Sequence, residues 1–262
     1  MAFPETPRVV YQHNPLEEVR CDIAFPPILK IDDSPIAFQD LIRSELPNFN
    51  IKSSIQLPAN MPQHVSRMIG QSIALPGTRA YHFASEDCAW ELILTTNRFS
   101  LLCRQYRRWE QFRDKLRQSL DSFNQIYKPS FFQHSCVRYK NAIRRIPLGL
   151  AGIAWPDLLQ PWVIGPLQAQ EISGEVQTFQ GKCVIRLPGS IGSIEATFTD
   201  GTHQPSNERV FIIESHSYND EKKGTTDVFE RLNALHHQTR LFFRWCITDR
   251  LHLAMQPTSV DS

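Results

Sequence analysis

Glu18-Val19-Arg20-Cys21-Asp22-Ile23-Ala24-Phe25 and Cys136-Val137-Arg138-Tyr139-Lys140-Asn141-Ala142-Ile143 are the two stretches on which the reading of this chain turns. The first alternates Val19, Cys21, Ile23 and Phe25 with Glu18, Arg20, Asp22 and Ala24, the period of a strand with one buried face. A slip of one residue would carry the charged set into the core, so the register is strongly specified. Each stretch is followed by proline, then by a short helical or Pro-rich segment, a run of strands and a long amphipathic helix. A sheet with one apolar face needs a cover, and a long helix supplies it. The fold class expected is therefore α+β, with pseudo-duplicated strand, helix, strands and long-helix units and with antiparallel sheets each covered by a long helix.

Working outward, residues 1–15 read as an extended N-terminal arm with Pro4, Pro7 and Pro15, 16–130 as a first α+β half, 131–256 as a second and 257–262 as a flexible tail. In the first half Ser34-Pro35 marks a helix start, with Phe38, Leu41, Ile42 and Leu46 on one face before Pro47, about three turns in all. Residues 48–63 predict a loop, followed by short strands near 65–74 and 80–84. Segments 90–96 and 99–104 around Asn97-Arg98 predict a hairpin. Trp109, Phe112, Leu116, Leu120, Phe123 and Tyr127 recur at three- and four-residue steps and predict a helix over 107–126, ended by Pro129.

The second half begins with strand 133–143 and continues with a single helical turn plus loop around Trp155 and Trp162. Strands are predicted near 172–179, 182–188, 192–199 and 208–216, with turns at Gln180-Gly181, between Gly189 and Gly192, and at Asp200-Gly201. Thr226 or Asp227 starts a helix whose apolar face runs from Phe229 to Ala254, roughly 40 Å. The pattern fits two arrangements, one saddle made by joining the sheets edge to edge or two sheets each curled round its own helix.

Composition narrows the function classes. Charged residues at 21% and hydrophobic residues at 41% describe an ordinary globular protein. Lys plus Arg (28) and Asp plus Glu (27) nearly cancel, which argues against a dedicated polyanion binder but leaves room for a local basic patch. The six cysteines form no Cys-x-x-Cys pair and read as reduced, mostly buried small hydrophobes of a cytoplasmic protein. No apolar run approaches the ~20 residues that span a bilayer, and no secretory signal is visible.

Asn14-Pro15-Leu16-x-Glu18-Val19 with Phe25-Pro26-Pro27, Arg138-Tyr139-x-Asn141, and Leu235-His236, Phe243, Ile247-Thr248-Asp249 and Met255 occur in this order over nearly the whole chain. Together they resemble a sporadically distributed, functionally uncharacterised bacterial protein family, with its Asn-Pro-Leu-x-Glu-Val opening, mid-chain Arg-Tyr-x-Asn strand and terminal Ile-Thr-Asp helix. The resemblance implies no activity to transfer. The patchy distribution is similar to that of defence or toxin–antitoxin components, which makes an accessory role of that kind an expectation.

Four groups of residues are candidates for chemistry. Arg104, Arg107, Arg108, Arg113, Lys115 and Arg117, interleaved with Tyr106 and Trp109, offer guanidinium and aromatic groups to phosphates and bases, or form the solvated side of helix 107–126. His216, His236, His237 and His252, near Asp220, Asp227 and Asp249, lack the His-x-x-x-His spacing of a helical metal site. Gly189 and Gly192 are those of a hairpin turn rather than a phosphate loop. Tyr139 and Asn141 share one face of their strand and read as a structural or ligand-contacting pair. No nucleophile elbow, P-loop, dinucleotide fingerprint or zinc spacing occurs, so no catalytic residue, cofactor or metal is assigned, and an enzyme reading has no positive support. The function expected is a non-enzymatic binding or regulatory protein with a protein partner or a second copy of itself. The alternative is a nucleic-acid or nucleotide-binding protein using the arginine-rich surface.

Overall fold

The computed structural model describes residues 3–33, 35–54, 78–169, 171–172, 174–203, 206–222, 224 and 227–260. The elements are β1 (Val9–Tyr11), β2 (Leu16–Ala24), α1 (Lys30–Asp33), α2 (Ile36–Ile42), β3 (Asn48–Ser54), β4 (Thr78–Ala84), β5 (Trp90–Thr95), β6 (Arg98–Cys103) and α3 (Trp109–Tyr127). After them come β7 (His134–Arg144), α4 (Pro161–Ile164), β8 (Phe179–Arg186), β9 (Ser193–His203), β10 (Glu208–Asn219), α5 (Val228–Cys246), α6 (Asp249–Ala254) and β11 (Pro257–Ser259). The fold is α+β with two antiparallel sheets among the described residues: a two-stranded ribbon, β1-β11, and a nine-stranded sheet ordered β3-β4-β5-β6-β2-β7-β10-β9-β8.

The two quoted stretches are neighbours at the middle of the large sheet. β2 and β7 pair antiparallel from Glu18↔Lys140 to Ala24↔His134, which joins the halves edge to edge through their first strands. Val19, Cys21, Ile23 and Phe25 are fully buried, as the alternation predicts. The helices lie on that face. Phe123 of α3 meets Phe25 and Phe99, and Phe112 meets Trp90. In the second half Phe242 of α5 meets Phe198 of β9, and Thr239 of α5 bonds Ser217 of β10. The two helices touch each other through Trp109 and Asn233 and through Arg117 over Phe229. α3 stops at Lys128, which takes a left-handed φ of 47° before Pro129.

Several local expectations are corrected. The long C-terminal helix is not continuous. Ile247 is extended, its neighbours bond to 158–160 (Thr248 N to Leu158 O and Gln160 N to Cys246 O, both 2.9 Å), and the Thr248 hydroxyl then accepts from Leu251 N to cap a separate helix. The segment expected as a tail supplies β11, paired with β1 of the arm from Val9↔Ser259 to Tyr11↔Pro257. The arm straps α5, with Phe3 buried against Phe242.

Turns expected at Gln180-Gly181 and Asp200-Gly201 lie inside β8 and β9. Neither glycine has a positive φ. A Cβ on Gly181 would stand 3.0 Å from the ring of Phe179, and the buried Asp200 carboxylate pairs with Arg209 of β10. Residues expected as a strand near 172–179 form tight turns closed by Ile172 N to Ala169 O and Glu175 N to Ile172 O, and only Phe179 belongs to β8. The loop expected over 48–63 begins instead as β3, while its remainder, the strand near 65–74, Ser34 and Thr226 lie outside the described residues. Among the described residues no helix is long and apolar enough to cross a membrane.

Candidate functional site

The β1-β11 ribbon, the approach to α3 at 106–109, the Tyr139 side of β7, and helices α5 and α6 enclose a cleft of about 430 Å³. That volume suits a small-molecule ligand. Five arginines line it: Arg8, Arg107, Arg108, Arg240 and Arg244. Arg8 grips Glu110 with two 2.7 Å contacts, and this hydrogen bonding holds the Glu110 carboxyl down at about 2. Arg244 pairs with Asp249. Arg240 bonds only the Thr6 and Pro7 carbonyls and the Thr6 hydroxyl, at 3.0–3.2 Å. Among the described residues, Arg107, Arg108 and Arg240 have no carboxylate within ion-pair distance. Guanidinium groups thus gather in the cleft although the chain as a whole is nearly neutral, with a formal charge of +1, and Glu5 is near enough to Arg240 to favour its charged form.

A line of polar groups crosses its floor. The Tyr106 and Tyr139 hydroxyls are 3.4 Å apart, and the Tyr139 hydroxyl is 2.5 Å from His236 Nδ1. Trp109 stacks on His236 at 4.4 Å and 6°, and its indole N–H donates to Asn233 Oδ1 at 2.7 Å. Burial pushes the His236 imidazole down to about 3, helped by repulsion from Arg8 and Arg240, and burial pushes the Tyr139 and Tyr106 phenols up. A neutral imidazole facing a protonated phenol is consistent with the Tyr139 hydroxyl donating to Nδ1. On the α6 side Tyr11, raised to about 12 by burial, meets His252 Nδ1 at 2.8 Å.

A general acid or base works best with a pKa near the operating pH, and these tyrosines sit far above neutrality while His236 sits far below it. The cleft lining thus combines guanidinium groups, phenol hydroxyls and imidazoles.

The basic residues singled out in the sequence are divided by the fold. Arg107 and Arg108 reach the cleft. Arg104 pairs with Glu91 at 2.8 Å, Arg113 lies 3.3 Å from Asp114, Lys115 pairs with Glu45, and Arg117 sits over the Phe229 ring at 4.1 Å. Tyr139 and Asn141 both line the cleft, and Asn141 Nδ2 lies 3.5 Å from Ile213 O. His236 and His252 reach it too, whereas His237 pairs with Glu5 outside.

Sequence reasoning missed Arg8, Arg240, Arg244 and Tyr11, which are distant from the arginine run in sequence and meet it only in the folded chain, Arg8 and Tyr11 through the arm and Arg240 and Arg244 through α5. It also assigned no metal ligands. On the opposite face of the sheet, His134, Cys136 and His216 place their ligand atoms within 4.8 Å of one another. Compared with known proteins, the chain matches no family model and no curated protein.

Proposed function

We propose that the protein is a non-enzymatic binding protein whose ligand is a small phosphorylated organic molecule, a nucleotide being the readiest example, held in the arginine-lined cleft. The observation that carries this reading is the meeting of Arg107, Arg108 and Arg240, none paired with a carboxylate among the described residues, around one concave space. Guanidinium groups match phosphate oxygens in charge and fork geometry. Leu16, Phe243 and Pro257 offer an apolar wall to the rest of such a ligand. The strand order supports treating the halves as a pseudo-duplicate, since in each the first strand lies beside the last strand of that half and a long helix follows.

The test is a thermal-shift and tryptophan-fluorescence titration with ATP and with pyrophosphate. Binding is expected to weaken as salt rises. The double variant R107A/R108A should lose at least about tenfold in affinity, since one charge-assisted hydrogen bond is worth roughly 1.5–3 kcal/mol. The variant R104A/R113A should bind as the wild type does. No response to either compound, or equal loss in both variants, would defeat the proposal.

A second reading, a protein partner or self-association, is favoured by one observation. Trp162 and Trp245 stack at 4.1 Å on the surface and are 39% and 37% exposed. Light scattering that returns the mass of one chain at micromolar concentration, with no change on Trp162→Ser, would count against self-association there.

A further inference from the structure

The face of the large sheet opposite α3 and α5 carries a second constellation, independent of the cleft. His134 and Cys136 stand two residues apart on β7 and so share that face, and β10 places Tyr218 opposite Cys136 and His216 opposite Arg138. Asp22 of β2 lies in the same row of the sheet, 1% exposed, with Arg20 Nε at 2.7 Å, Ser100 Oγ at 2.5 Å, and Cys136 Sγ and Arg138 Nε each at 3.4 Å. Burial would raise the Asp22 carboxyl, but Arg20, Ser100 and Arg138 outweigh it and hold it below its ordinary value. Arg20 and Arg138 share this one carboxylate, and Arg138 is also near enough to His216 to disfavour its protonation.

Three features point to a cation. The ligand atoms of His134, Cys136 and His216 lie within 4.8 Å of one another. His216 Nε2 is buried and has no hydrogen-bond partner, an orphaned donor or acceptor that a ligand would satisfy. His134 Nδ1 lies 2.6 Å from Asp220 Oδ1, the carboxylate–histidine pairing that orients a ligating imidazole and leaves the other ring nitrogen for the metal.

We propose that His134, Cys136 and His216 bind one zinc ion, with Asp220 as the carboxylate that orients His134. Two imidazoles and a thiolate are a borderline-soft donor set that suits zinc and excludes calcium and magnesium, which take oxygen ligands. Zinc bonds of about 2.0–2.3 Å in a tetrahedron set ligands roughly 3.5 Å apart, so small side-chain rotations close the present spacing. Binding converts the Cys136 thiol to a thiolate and releases that proton to solvent, so affinity rises with pH. Three protein ligands leave a fourth position for water or a small ligand.

The experiment uses the full chain, freed of metal by chelation and titrated with cobalt(II) and with zinc(II). One equivalent of cobalt is expected to produce a thiolate-to-cobalt charge-transfer band that zinc abolishes, and zinc is expected to raise the melting temperature. Cys136→Ser should lose the band. His134→Gln and His216→Ala should each weaken binding by at least tenfold, and they keep the test decisive should Cys136→Ser fail to fold. His203→Ala, at the end of β9 and remote from the triad, should bind as the wild type does. Absence of the band in the wild type, its persistence at full strength in His134→Gln and His216→Ala, or an unchanged melting temperature with zinc would overturn the proposal.

Discussion

His236 shows how one residue acquires its chemistry from its neighbours. As a helix residue beside His237 it shows no metal-binding spacing in the sequence, yet it is stacked on Trp109, bonded to Tyr139 and repelled by Arg8 and Arg240. Its folded value of about 3 lies below the ~6.5 of an unfolded chain. The folded state therefore binds fewer protons, so the contribution is complete above about pH 6.5 and is lost as pH falls from there toward 3. His216, at about 4 through burial, acts in the same direction. Glu110, held at about 2, weakens the fold only below the ordinary carboxylate range. Melting temperature should thus fall between pH 7 and pH 5, with stability lost through His236 at up to about 1.4 kcal/mol per pH unit. His236→Gln should flatten that slope, and a variant with the wild-type slope would show that His236 is not the group responsible. Of the candidate cleft, the sequence made Arg107, Arg108, Tyr139 and Asn141 visible, because they lie in a charge run and on one face of a well-patterned strand. Arg8, Arg240 and Arg244 were invisible, since isolated arginines look like solvated surface until long-range pairing gathers them.

At the scale of elements, α3 was legible from its apolar period and Pro129, while the helix expected over 226–255 broke where tertiary contacts compete with helical hydrogen bonds. Ile247 leaves the helix to bridge Leu159, and Thr248-Asp249 restarts it with a cap worth about 1 kcal/mol. The periodicity of the segment gave no sign of this break, because the partner that makes it worthwhile, Leu159, is distant in the chain. Glycine reading divided in the same way. Gly189 and Gly192 form the β8–β9 turn at φ of 61° and 127°, while Gly181 and Gly201 serve inside strands. At Gly192 a Cβ would come within 2.0 Å of Tyr218 O, and Asn219 latches the same turn through the Ser190 and Ile191 carbonyls at 2.7 and 3.1 Å. Gly192→Ala should cost at least about 2 kcal/mol, from a disfavoured φ together with a backbone collision. Denaturant unfolding measures this, and a loss under about 0.5 kcal/mol, the range of a neutral surface change, would contradict the placement of that turn.

For the whole molecule, the β2-β7 seam leaves no free edge between the halves. Asp22 ties β2 to β6 through Ser100 and to β7 through Arg138, and Trp109 and Arg117 join α3 to α5 on the other face. The two halves should accordingly unfold in a single transition. Tryptophan fluorescence, which samples Trp90 and Trp109 in one half and Trp155, Trp162 and Trp245 in the other, should coincide with far-ultraviolet circular dichroism along a urea series. Two separated midpoints would mean that the seam does not couple the halves.

By itself the amino-acid sequence determined what local periodicity can encode: an α+β chain, two half-buried strands with fixed inward faces, and long amphipathic helices to cover them. Only the tertiary structure decided that the halves share one sheet, that the arm and the C-terminal segment pair into a ribbon, and that dispersed arginines converge on one cleft. The reason is physical. The inward face of a strand follows from alternation within a few residues, whereas the choice of a neighbouring strand depends on backbone hydrogen bonds, which every sequence can make, and on packing between residues far apart in the chain.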